Sequence, residues 1–229
     1  MGSAMTVSKQ AVLMFHGIGE TPKGIPEAEV PYWITDRFFD DIVRYVRSRR
    51  SGPEVVFTFD DGNASDIAAA RKLSEAGIKG HFYVLAGRLD KPGYLSRADL
   101  RKLDVLGMEI GLHGTNHVDW RRASEEELRD ETVTSRNLLA DVVGKPVTSV
   151  AIPFGAYNRS VLRHLESQRF DRIYLADNGL AIAGSKYLRR NPVMSWHMIS
   201  DIDDYVEDRA SLLKKIRRKV MPLVKGRLS

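Results

Sequence analysis

The sequence predicts an α/β fold, a distorted (β/α) barrel of about seven parallel strands. Three observations carry that expectation. Short β-branched or aromatic runs alternate with segments of helical periodicity, the 229 residues accommodate one such barrel, and the residues suited to chemistry fall at the carboxyl ends of the runs. An open doubly wound sheet satisfies the same alternation and is the alternative.

The strand-like runs are 11–15, 54–60, 80–85, 108–112, 149–153, 172–176 and 187–193. Between the first two, residues 35–49 place Phe38, Phe39, Ile42, Val43 and Val46 at helical spacing. The Ala-rich stretch 63–76 is stopped by Gly77, and Ser96 with Asp99 and Ser124 with Glu127 have the spacing of helix N-caps. Gly144 closes the helix that begins at Ser124, and Asn158 caps one reaching Gln168. The long segment 17–31 is rich in Gly and Pro and is expected to arch over the carboxyl rim.

Composition narrows the options. A hydrophobic share of 43% and a charged share of 28% are ordinary for a globular chain, and no run approaches the roughly 20 apolar residues of a membrane-spanning helix. With no cysteine, thiolate metal sites and disulfides are excluded, so any metal must be held by His, Asp or Glu. Residues 1–10 read as an N-terminal extension beginning with an expression scar, 11–200 as the barrel domain, and 201–229 as a basic amphipathic C-terminal helix. Much of the net charge of +5 lies in that last part, where Leu212, Leu213, Ile216 and Val220 form a stripe beside Lys214, Lys215, Arg217, Arg218 and Lys219. Packing on the barrel is one fate of such a stripe, and peripheral contact with an anionic membrane surface is the other. No basic motif interleaved with aromatics is present, so no nucleic acid partner is expected, and the expected location is the cytoplasm.

The chemistry concentrates in two motifs. Asp60 and Asp61 end the second run, and a turn starting at Asp61, eased by Gly62, brings both carboxylates into one space although successive strand side chains alternate faces. His113 and His117 are four apart, a spacing that one helical turn would place on one face for chelation. One carboxylate and two imidazoles suit a divalent metal. A cation on Asp61 relieves the repulsion between the two carboxylates and leaves Asp60 ionised as a base.

Thr58-Phe59-Asp60-Asp61-Gly62, then His113-x-x-x-His117, then Ile152-Pro153-Phe154-Gly155 resemble, in order and spacing, the motifs of the polysaccharide deacetylase or NodB-homology family, over about 12–193. The resemblance implies that Asp60 is the catalytic base and that Asp61, His113 and His117 hold the metal. It also implies that the backbone N–H of Phe154 binds the oxyanion, with Pro153 and Gly155 beside the substrate. Zn2+ is the expected ion, with Co2+, Ni2+ and Mn2+ as alternatives.

Two departures stand out. Ala151 occupies the place of an Arg that in the family orients and tunes the base, a change seen in members acting in surface-glycan synthesis, and Thr115 is displaced from the position directly after the first His. The Leu-x-His segment that supplies the general acid has no clean counterpart, leaving His16 and His197, with Asp177 also near a strand end, as candidates. The implied reaction removes N-acetyl groups from a carbohydrate, in the synthesis or modification of a bacterial surface polysaccharide or lipopolysaccharide, with an N-acetylated sugar or glycan, free or lipid-linked, as partner. A non-catalytic metal-containing glycan-binding module and a hydrolase of another amide or imide stand as alternatives. The close His pair on alternating β and α elements argues against the non-haem iron oxygenases that use a similar ligand set.

Overall fold

The computed structural model describes residues 8–209. Six of the seven expected runs form single parallel strands: β1 (Lys9–Phe15), β2 (Glu54–Asp61), β3 (Gly80–Leu85), β4 (Glu109–Gly114), β5 (Ser149–Ala151) and β6 (Arg172–Leu175). The seventh run is not continuous. It splits into β7 (Tyr187–Arg189), which pairs with β6, and β8 (Asn191–Pro192), which pairs with β1. The order is therefore β7-β6-β5-β4-β3-β2-β1-β8, a nearly closed barrel whose last turn is bridged by one short stretch of chain. Residues Ala181–Ile182 add an antiparallel edge to β1, making nine strands in this sheet where seven were expected.

The break has a physical cause. To close the barrel, one segment must serve both edges, and it steps from β6 to β1 at Arg190. Asn191 pins the step: its Nδ2 donates to the carbonyls of Val12 and Gly179 at 3.3 and 3.1 Å, and its Oδ1 accepts from Gly179 N at 2.8 Å. A buried amide with its donors and acceptor engaged fixes one register.

Helices cover the outside. α1 (Asp36–Ser48) is capped by Thr35, whose hydroxyl accepts from Phe38 N, and α2 (Asp66–Glu75) begins three residues later than expected because Asn63 bridges to Tyr94. α3 (Arg97–Val105) and α4 (Glu125–Arg129) both start with capping boxes, on Ser96 and Ser124. A π-helical turn, Asp130–Thr134, joins α4 to α5 (Ser135–Val143), which Gly144 ends at φ 72°. α6 (Arg159–Ser167) is capped by Asn158, and α7 (Ile199–Val206) packs back on α1, where Tyr45 donates to Asp203 at 2.6 Å. The boundary expected at 200 falls inside α7. The stripe from Leu212 to Val220 lies outside the described residues.

Strand alternation sorts the side chains. Phe15, Phe57, Phe59 and Phe82 face the helices; the first three pack with Phe39 of α1, and Phe59 and Phe82 stack at 4.5 Å. Alternate residues face inward, where Val12, Val56, Tyr83, Ala151, Tyr174 and Leu188 form a second, smaller cluster. Gly111 makes room for it: a Cβ there would meet the Tyr83 ring at 2.3 Å.

Candidate metal centre

At the carboxyl end of β2, Asp60 points into the barrel and Asp61 turns onto its rim. The left-handed turn begins one residue earlier than Gly62: Asp61 itself has φ 77°, and Gly62 follows at φ 71°. Aspartate tolerates this region better than most side chains, so the two adjacent carboxylates converge at modest backbone cost.

His113 ends β4, but the helical turn expected between the two histidines is absent. Gly114 (φ 99°) and His117 (φ 56°) instead fold the chain into a tight bend. Glu131, buried on the π-helical turn, holds that bend, accepting from Thr115 N at 2.8 Å, Asn116 N at 3.0 Å and Trp120 Nε1 at 3.3 Å. A Cβ on residue 114 would sit 2.4 Å from the Glu131 carboxylate, so the position requires glycine. Four-residue spacing succeeds here through a clamped loop, and π-bulges inside helices often mark such sites.

The donor set fits a divalent ion. One ligand atom from each of Asp61, His113 and His117 lies within 4.8 Å of the others. His113 Nε2 and His117 Nε2 stand 3.6 Å from Asp61 Oδ1, too long for a hydrogen bond and short enough for one ion to reach all three. Asp61 Oδ1 and His113 Nε2 are buried without a hydrogen-bond partner. On its other side, His113 Nδ1 donates to the Ala151 carbonyl at 2.8 Å. Because a carbonyl only accepts, that bond fixes the tautomer and leaves the Nε2 lone pair toward Asp61. Burial, followed by the neighbouring His113, pushes His117 down to about 4 despite Asp61, so its imidazole is neutral at neutral pH.

Asp60 has a partner that no sequence motif pointed to. Arg190, 1% exposed at the break between β7 and β8, donates from Nη1 to Oδ1 at 2.6 Å and from Nη2 to Oδ2 at 2.9 Å. Burial alone would raise the carboxyl, but the guanidinium charge, followed by His113 and the hydrogen bonds, holds it at about 2. The place left by Ala151 on β5 is thus met from across the closing seam. The signal was present in the chain, as a second consecutive Arg inside a run otherwise reading as a strand. It passed unremarked because a strand break cannot be read from periodicity.

A cavity of about 310 Å3 opens over these groups, walled by Asp60, Asp61, His113, His117 and Arg190 on the barrel side. Across it stand His16, at the end of β1, and Glu29 and Tyr32 from the long loop, which does arch over this rim. His16 packs its ring on Tyr32 at 4.5 Å, and burial lowers its pKa. Glu29, another residue the sequence reading passed over, has its carboxyl raised by burial and then by Asp61. Phe154 and Gly155 line the cavity beside Pro153, with Phe154 at φ 57° and its ring 4.2 Å from that of His117.

His197 is not brought into this cavity. Its Nδ1 accepts from Met194 N at 3.1 Å and its ring packs against Tyr205, because the chain turns outward after β8. Asp177 is likewise occupied, accepting from the Tyr157 hydroxyl.

Comparison with known proteins places this geometry. The polysaccharide deacetylase family model matches residues 47–173, more than half of the chain. The chain is 23% identical over 143 residues to the peptidoglycan-N-acetylglucosamine deacetylase PgdA of Listeria monocytogenes, a match taking in 60% of this chain and 30% of that protein. The chain thus spans less than a third of the curated relatives it matches. Among solved structures, the Streptococcus pyogenes deacetylase PplD in complex with acetate superposes with a TM-score of 0.77 at 20% identity, covering 88% of this chain and all of that one (100%). A polysaccharide deacetylase from Bacillus cereus gives 0.77 at 17% identity over 87% and 69% of the two chains, and IcaB from Ammonifex degensii 0.71 at 20% over 89% and 98%. At these identities the superpositions speak for the fold, whereas the family match is made on the sequence segment that carries Asp60, Asp61, His113, His117 and Phe154. The chain belongs to the polysaccharide deacetylase family.

Proposed function

We propose that this protein is a metal-dependent hydrolase that removes N-acetyl groups from a carbohydrate, acting in the synthesis or modification of a bacterial surface polysaccharide or lipopolysaccharide. One observation carries the reading: three ligand atoms, two of them buried without a hydrogen-bond partner, stand beside a carboxylate that Arg190 keeps ionised. Asp61, His113 and His117 would hold the ion, Zn2+ first and Co2+, Ni2+ or Mn2+ as alternatives. When bound, such an ion supplies Lewis acidity to the acetamide carbonyl and acidifies the attacking water.

The rest is work for the chain. Asp60 takes the proton from the attacking water at Oδ1 or Oδ2, and Arg190 ensures that the carboxylate is free of a proton across the physiological range. A carboxylate held near 2 is a weak base, so the arrangement works only on a water that is already acidified. The Phe154 N–H is assigned to the developing oxyanion, in a backbone fixed between Pro153 and the left-handed Gly155. Two titratable groups face the reacting centre to protonate the leaving amine. Burial lowers the pKa of His16 and raises that of Glu29, disfavouring the charged form of each, and both stand as candidates for that donor. We place the enzyme in the cytoplasm, on a lipid-linked glycan, with peripheral membrane contact through the basic C-terminal stretch.

Acetate release over a panel of free and lipid-linked N-acetylated glycans tests the reading. Asp60→Asn should lower turnover by roughly 10²- to 10⁴-fold with metal content intact, and His113→Ala should lose both the metal and the activity. Glu29→Gln and His16→Gln, compared side by side, identify the donor as the residue whose loss lowers turnover with substrate affinity kept. Wild-type protein that carries metal and binds glycan but releases no acetate would make the non-catalytic glycan-binding reading the better one.

A further inference from the structure

We propose that Trp196 forms a second saccharide subsite, a stacking platform for the sugar ring next to the one held in the cavity. This rests on the deacetylase reading and extends it from the acetamide to the length of glycan recognised. Among the described residues, seven large apolar side chains are exposed, and five of them, Val30, Val118, Phe154, Trp196 and Met198, sit on loops at the carboxyl rim. Of these, Phe154 lines the cavity itself, and Trp196 has the largest flat apolar face of the five.

Trp196, 62% exposed, is held out by a built turn. His197 N donates to the Met194 carbonyl at 3.0 Å, His197 Nδ1 accepts from Met194 N, and the imidazole anchors inward on Tyr205. The same turn is tied to the cavity wall: Ser195 N donates to the Pro31 carbonyl at 2.8 Å, and the next residue, Tyr32, lines the cavity. The turn that presents the indole is therefore tied to the same loop that walls the cavity through Glu29 and Tyr32. The 310 Å3 cavity is at the low end of small-molecule pockets, which run from roughly 300 Å3 upward, and takes about one monosaccharide residue. Further residues of a polymer must lie on the rim.

The chemistry favours a neutral sugar ring over a bilayer. An indole presents a flat apolar face with a polar N–H edge, matched to the C–H face and hydroxyl edge of a pyranose. The segment 193–198 carries no Asp, Glu, Lys or Arg, and the adjoining loop sets Glu20, Glu27 and Glu29 against Lys23, a balance that an anionic lipid surface would repel.

The test is calorimetric titration of the Asp60→Asn protein with N-acetylglucosamine and its β-1,4-linked dimer, tetramer and hexamer. Trp196→Ala in that background should weaken tetramer binding roughly three- to ten-fold more than monomer binding, and Trp196→Phe should restore most of the difference. Equal weakening at every length, or none, overturns the subsite while acetate release by the wild type leaves the deacetylase reading standing. Loss of binding to phosphatidylglycerol vesicles in Trp196→Ala, with oligosaccharide binding unchanged, overturns it in favour of a membrane contact. Absence of both sugar binding and acetate release in the wild type overturns both readings.

Discussion

The two mouths of the barrel are built from the same kinds of residue and come to opposite ends. At the amino-terminal mouth, Glu109 of β4 accepts from Arg172 at 2.5 Å and from Ser149 at 3.0 Å, with Lys79 and His81 at 3.7 and 3.6 Å. One carboxylate there faces two fixed cations and an imidazole. At the carboxyl mouth, Asp60 takes Arg190 for itself, and the nearest cation to Asp61 is Arg88 at 3.9 Å. The first mouth is self-neutralised, while the second is left with negative charge and unused lone pairs, the condition for accepting a cation. A histidine beside a carboxylate thus tells little by itself; the local charge balance separates a closed structural cluster from a candidate metal centre.

The hardest way to break this contrast is to remove the arginine from each mouth. Arg190→Ala strands a buried carboxylate and should cost about 3–5 kcal/mol of unfolding free energy, read from urea denaturation. Arg172→Ala, whose side chain is 34% exposed, should cost about 1 kcal/mol. Equal losses would show that the two pairs do the same structural job. Arg190→Lys, keeping charge but losing the two-pronged geometry, should fall between the two in stability and lower turnover with substrate affinity little changed.

A milder test works on the loop. Glu131→Gln keeps one acceptor oxygen of the two that serve the three N–H groups shaping the bend between the histidines, and Zn2+ affinity measured by competition with a chelator should drop about 10- to 100-fold. An unchanged affinity would show that Gly114 and the β4 strand end suffice to hold His117.

What was legible in the sequence followed from local rules. Strand alternation, capping residues and a Gly-stopped helix predicted the barrel and most helix ends, and the strand-end placement of Asp60, Asp61 and His113 brought them to one rim. What was not legible depended on closure. Arg190 meets Asp60 across 130 residues of chain only because β7 and β8 split to serve two edges, and Glu131 reaches the Thr115–Asn116 backbone only because a π-turn rotates it inward. His197 failed for the converse reason: being near a strand end does not say which way the chain turns afterward. The four-residue His spacing brings the two imidazoles together through a clamped bend and not through the helical turn expected from it.

The smallest expected effect separates the mouths by pH. Burial, opposed by Glu109, lowers His81 from 6.5 to about 4, so the folded protein keeps it neutral where the unfolded chain protonates it. Between about pH 6.5 and 4 the unfolded state binds the extra proton, and stability must fall as pH falls, by at most about 1.4 kcal/mol per pH unit for one group. Asp60 acts lower down. Its pKa is depressed in the fold, so the stability it contributes is present above the unfolded value near 3.9 and is lost as pH falls through about 2. His117, also lowered to about 4, adds a slope in the same window as His81, and it is common to wild type and variant when both are stripped of metal. His81→Gln should therefore flatten the urea midpoint against pH between 6.5 and 4, leaving the decline below pH 4 and the Zn2+ affinity as they were. If His81→Gln also shifted the Zn2+ affinity, the two mouths would be coupled through the Tyr83 and Tyr174 layer between them, and the closed cluster would have to be counted as part of the site.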